Sequence, residues 1–129
     1  MRRNDGKQAC IVGIGASRFG RRLPESQTAL AAVAFKQALA DAGLTREDID
    51  GLCINMGFPL GTDYDRFAQA FGLDIRYVSQ TWMHGRFVTM SLQHAALAVE
   101  VGLADVVACV TAISFTRAIP VLGGVDAED

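Results

Sequence analysis

Short apolar runs, separated by helix-spaced segments that stop at glycine, set the tightest limit on what this chain can fold into. Residues 9–14 (Ala-Cys-Ile-Val-Gly-Ile), 51–56 (Gly-Leu-Cys-Ile-Asn-Met) and 105–110 (Asp-Val-Val-Ala-Cys-Val) are too short for buried helices and are bounded by polar residues or glycine. They read as buried strands, and residues 75–78 (Ile-Arg-Tyr-Val) as a further one. Between them, residues 26–41 carry Leu30, Val33, Ala34, Ala38 and Leu39 at helical spacing, with Gly43 as the stop. A short helix over 65–71 holds Phe67, Ala70 and Phe71 and closes at Gly72. A longer one starts at His84 or Arg86 and runs to Val101, with Val88, Leu92, Ala95, Ala96 and Val99 as its stripe and Gly102 as its end. The order βαβαβαβ predicts an α/β fold with a mostly parallel sheet.

Size and charge narrow the function classes. A chain of 129 residues suffices for one domain. The predicted organisation is a tail over 1–7, a domain over 8–117 and a loop or truncated tail over 118–129. Net charge is −2, and the basic residues near the start (Arg2, Arg3, Lys7, Arg18, Arg21, Arg22) form no stripe with interleaved aromatics, which argues against nucleic acid as a partner. No run approaches the ~20 apolar residues of a membrane span. Half of the residues are hydrophobic, so some apolar surface is expected to meet a partner chain or a second half. Cys10, Cys53 and Cys109 are scattered, with no paired spacing. Buried reduced thiols and a cytoplasmic location follow as expectations.

The glycine loop after the first run does not fit a dinucleotide site. In Gly13-Ile14-Gly15-Ala16-Ser17-Arg18 the third glycine of GxGxxG is replaced by Arg18, and the next helix starts too late to face a pyrophosphate. The same residues read instead as V-G-x-G-x-S-x-F-G, followed by an Ala-rich helix, Asp41-Ala42-Gly43-Leu44 and Asp48-Ile49-Asp50. Ala95 to Val107 (Ala-Ala-Leu-Ala-Val-Glu-Val-Gly-Leu-Ala-Asp-Val-Val) is a second anchor. Together these resemble the N-terminal half of the thiolase superfamily, most of all the sterol-carrier and lipid-transfer-protein branch with its aldolases. The resemblance implies one half of a five-layer fold, a homodimer and acyl-CoA substrates, with coenzyme A as part of the substrate and no other cofactor. It also implies a small OB-fold or hotdog-type partner subunit.

The departure from that pattern lies at the start of the long helix. Thiolases place a cysteine there, where the helix N-terminus stabilises the attacking thiolate. The family's spacing, counted back from Ala104-Asp105-Val106-Val107, puts that position at Gly85. A glycine forms no acyl-enzyme. His84 is a candidate general base or hydrogen-bond donor to a thioester oxygen, or a capping histidine. Trp82, Met83 and Arg86 are candidates for lining a substrate pocket. His94 is expected to pack in the core or an interface. The hydroxyls of Thr81, Thr89 and Ser91 have no paired base nearby in sequence, and Asp63 and Asp65 form no metal set.

A thiolase-like protein without the cysteine points to retro-aldol cleavage of a β-hydroxyacyl-CoA, such as a sterol side-chain CoA. Two alternatives stand beside it. One is a non-catalytic subunit paired with an active acyl-CoA enzyme, or a fragment without activity of its own. The other is an ordinary acyltransferase, should the register be shifted.

Overall fold

The computed structural model describes residues 8–20, 23–55, 64–81 and 85–113. Helix α1 spans Gln27–Ala42, strand β1 Gly51–Asn55, helix α2 Tyr64–Phe71, strand β2 Tyr77–Gln80, helix α3 Gly85–Glu100 and strand β3 Val107–Thr111. A single 3-10 turn, Arg46–Asp48, links α1 to β1. Among the described residues no helix is long and apolar enough to cross a membrane.

The three strands form a parallel sheet in the order β2-β1-β3. The central strand is buried along its whole length, as its continuous apolar run requires. Leu52, Ile54, Val110 and Ala112 face a core shared with Ala31 and Phe35 of α1 and Phe67 of α2. Three phenylalanines knit the two helices together. Phe67 stacks on Phe71 at 4.3 Å between ring centroids, and Phe35 meets both edge-on at 6.0 and 5.5 Å. The opposite sheet face carries Cys53, Ser79 and Cys109 beneath α3. There Ser79 Oγ lies 2.8 Å from His94 Nδ1, and the Cys109 thiol points to the Ser91 carbonyl at 3.7 Å.

Local sequence sets the ends of α1. Ser26 accepts from the Ala29 amide at 3.1 Å, an N-cap. Gly43 then turns left-handed at φ 68°, and the Leu44 amide donates to the Leu39 carbonyl. The next polar cluster sets the register of the sheet. The Asp50 carboxylate, just before β1, accepts from the amides of Asp105 and Val106, just before β3. Arg76, just before β2, donates to Asp50 at 2.7 Å and to Asp105 at 2.8 Å. One side-chain cluster thus holds the leading edges of all three strands together. Burial works to raise the Asp50 pKa, but the Val106 and Asp105 amides and Arg76 outweigh it and hold the carboxyl below its ordinary value.

The structure corrects the sequence reading at four places. Residues 9–14 are not a fourth strand, so the described order begins with α1 and the βαβαβαβ pattern lacks its first member. The segment runs along α1 instead. The amides of Ile14 and Ala16 donate to the side chains of Asp41 and Gln37, and Gly13 and Gly15 press against the α1 backbone. Ile11 and Ile14 are 71% and 73% exposed, because an apolar run becomes a strand only where a sheet edge meets it. The strand expected at 75–78 lies at Tyr77–Gln80, because Arg76 is held in the Asp50 cluster. Of the three cysteines only Cys53 is buried; Cys10 and Cys109 are exposed. On α3 the residues that meet the sheet include Ser91, His94 and Ala98, while Leu92, expected on the buried stripe, is 45% exposed.

Candidate functional site

Parallel α/β sheets present their ligand sites at the carboxyl ends of the strands. Here that end is built by Asn55 at the close of β1 and Thr111 at the close of β3. The Asn55 side chain is fully buried, and its amide nitrogen donates to Thr81 Oγ1 at 2.8 Å. Thr81 in turn donates its backbone N–H to the Ile54 carbonyl, and the Thr111 hydroxyl donates to the Asn55 carbonyl at 3.0 Å. These bonds fix the ends of all three strands relative to one another. A buried side-chain amide on such rigid supports is pre-oriented, which a hydrogen-bonding site needs.

A cavity of about 110 Å³ opens beside this network. Asn55, Cys109 and Thr111 line its floor, and Val88, Ser91 and Leu92 of α3 its wall. Its mixed lining, mainly apolar with a few fixed polar groups, is that of a ligand pocket in miniature. A larger groove of about 580 Å³ lies between α1 and α2, on the other face of the sheet, with Phe35, Leu39 and Phe71 among its walls. Among the described residues the hydrogen-bond network at the strand ends does not reach it, so the smaller cavity is the better candidate.

Helix α3 begins at Gly85, and Arg86 follows on its first turn. The position that the thiolase resemblance assigns to a nucleophilic cysteine is thus the first residue of a helix, and it carries no side chain. Trp82, Met83 and His84 lie outside the described residues. His94 is half-buried and bonded to Ser79, six residues below the start of the α3 wall of the cavity. Asn55, Thr81, Ser91, Cys109 and Thr111 come together at the site. Of these, the sequence singled out only Thr81, Ser91 and Cys109, and none of them as a site residue. The signal for Asn55 was a polar side chain inside an otherwise apolar run, since buried polar groups occur where partners are built for them. Among the described residues no set of three or more His, Cys, Asp or Glu could hold a metal ion.

No family model matches the chain. It is 42% identical over 102 residues to the 17-hydroxy-3-oxo-4-pregnene-20-carboxyl-CoA lyase of Mycobacterium tuberculosis, a match that covers 78% of this chain and 26% of that protein. It is 35% identical over 108 residues to a steroid side-chain-cleaving aldolase of Thermomonospora curvata, covering 82% of this chain and 27% of the relative. The solved structure of an Ltp2-ChsH2(DUF35) aldolase superposes with a TM-score of 0.70 at 34% identity, again over 78% of this chain and 26% of that one. The chain therefore spans about a quarter of the length of these relatives. Its homologues act on steroid side chains as aldolases and lyases.

Proposed function

We propose that this chain is part of a thiolase-like retro-aldol lyase that cleaves a β-hydroxyacyl-CoA, with a sterol side-chain CoA as the substrate class. The observation that carries this reading is the 42% identity to a steroid carboxyl-CoA lyase across most of the chain. The start of α3 supports it independently. Thiolase chemistry needs a thiolate at the head of that helix, and this chain has Gly85 there. Retro-aldol chemistry needs none. A base takes the proton of the β-hydroxyl, and the hydroxyl oxygen becomes a carbonyl as the α–β carbon bond breaks. The electron pair flows into the thioester as an enolate, and a proton returns to the α-carbon. What the protein must supply is a base and fixed donors to the enolate oxygen. His84 is the proposed base or donor, with Trp82, Met83 and Arg86 against the substrate. Coenzyme A enters only as part of the substrate. The described segment corresponds in this reading to one half of a thiolase-like fold in a homodimer, in the cytoplasm, with a small partner subunit of the kind named in the structural relative.

The test is carbon–carbon cleavage by the natural protein, purified with any subunit that stays bound. Incubation with a β-hydroxyacyl-CoA of a sterol side chain should release a ketone or aldehyde and a shortened acyl-CoA in equal amounts. Intact mass should show no acylated chain during turnover. Accumulation of an acyl-enzyme without cleavage would point to an ordinary acyltransferase. Activity only after a second thiolase-like chain is added would point to a non-catalytic subunit.

A further inference from the structure

The α3-facing side of the sheet holds two thiols side by side. Cys53 of β1 and Cys109 of β3 are direct register partners on adjacent parallel strands. Neighbouring strands lie about 4.8 Å apart, within the Cα separation of about 4.4–6.8 Å that a disulfide can bridge. Both side chains lie on one face, since Cys109 reaches toward Ser91 of α3 and Cys53 shares its row with Ser79, which touches His94. Their accessibility differs. Cys53 is fully buried, whereas Cys109 is exposed and lines the cavity at the strand ends. Their protonation differs as well. The hydrogen bond with Cys109, together with burial, pushes the Cys53 thiol up, and the same bond holds Cys109 below the ordinary thiol value against the effect of its own desolvation. One partner is thus the better thiolate and the other a shielded thiol beside it, the arrangement of an attacking and a resolving cysteine.

We propose that Cys53 and Cys109 are a reversible redox pair that closes to a cross-strand disulfide on contact with a hydroperoxide. The Cys109 thiolate attacks the peroxide oxygen, which becomes Cys109 sulfenic acid while the other oxygen leaves as an alcohol or as water. Cys53 then attacks the Cys109 sulfur, forming the S–S bond and releasing water. The peroxide is reduced by two electrons and the two thiols lose two, so the steps balance. A small thiol reverses the reaction by exchange. Cys109 is exposed, and an exposed disulfide is open to exchange with a small thiol. Closure draws the Cys109 sulfur away from the Ser91 carbonyl and reshapes the floor of the cavity. The proposal is independent of the lyase reading, because its readout is covalent mass and not turnover.

The experiment is peptide mapping of the full natural protein after reduction, brief treatment with hydrogen peroxide and alkylation of remaining thiols. The expected product is a peptide pair joined through Cys53 and Cys109, about 2 Da lighter than its reduced parts and reopened by dithiothreitol. The Cys10→Ser variant should give the same pair, because Cys10 stands apart on the segment over 8–20. In the Cys53→Ser variant Cys109 should pass on to the sulfinic acid, gaining about 32 Da that dithiothreitol does not remove. The proposal is overturned if Cys53 stays fully alkylated in the wild-type and Cys10→Ser proteins while Cys109 is over-oxidised. It is equally overturned if the only linked peptides contain Cys10.

Discussion

Asp50 shows how much structure a single carboxylate can fix. It accepts two backbone amides from the start of β3 and an arginine from the start of β2, so it sets the alignment of three strands. Its carboxyl sits below the ordinary value in the folded chain. The stabilisation it gives is therefore complete above about pH 4 and is lost as pH falls through the lowered folded-state value. Urea melts should show Asp50→Asn less stable at neutral pH by roughly 1–3 kcal/mol, with a flatter loss of stability below pH 4 than the natural protein. Gly15 is a second position where one atom decides. A Cβ there would lie 2.5 Å from the Ala38 amide nitrogen and would overlap the Ala34 carbonyl. Gly15→Ala should lift the segment over 8–20 from α1, and hydrogen exchange at the Ile14 and Ala16 amides should speed up while β1 stays protected. At Gly85 the prediction is a gain. Gly85→Cys in the complete protein should acquire one acyl mass from an acyl-CoA, whereas the natural chain should acquire none.

The elements divide into those whose ends are written locally and those whose ends are set by distant residues. Helix α1 is of the first kind, since Ser26 caps it and Gly43 stops it, and the Gly43 stop was legible in sequence. Ser26→Ala should cost about 1 kcal/mol, read as a lower melting midpoint in denaturant. Strand β1 was legible too, because a strand buried on both faces must be apolar throughout. The segment over 9–14 has the same composition and yet lies beside α1, because composition records a preference for burial and says nothing of which edge supplies the hydrogen bonds. The stripe on α3 was only partly legible, for a related reason. Of its expected members Val88, Ala95, Ala96 and Val99 are half-buried and Leu92 is 45% exposed, while Ser91 and Ala98, small residues outside that stripe, are buried and His94 bonds to Ser79 of the sheet. A sheet face that carries Ser79, Cys53 and Cys109 is answered by a helix face of similar size and polarity.

At the scale of the molecule, one apolar core joins α1, α2 and the sheet through Phe35, Phe67, Leu52, Ile54 and Val110. Phe67 is fully buried within it and touches both other aromatics. Phe67→Ala should therefore cost about 3–5 kcal/mol and loosen α1 and α2 together, visible as simultaneous loss of their amide protection. The α/β class and the parallel sheet could be read from the alternation of runs, whereas the polar network around Asn55 could not. It is assembled from the ends of three strands, and no spacing along the chain announces it. The same topology bears on how the protein is made. Val106 donates to Asp50 across 56 residues, and among the described residues no nearer strand lies on that side of β1. At about 5–20 residues per second, a ribosome takes roughly 3–11 s to deliver the second partner after the first. During that interval the most deeply buried strand of the sheet waits without its neighbour on that side, the moment at which a chaperone has most to shield.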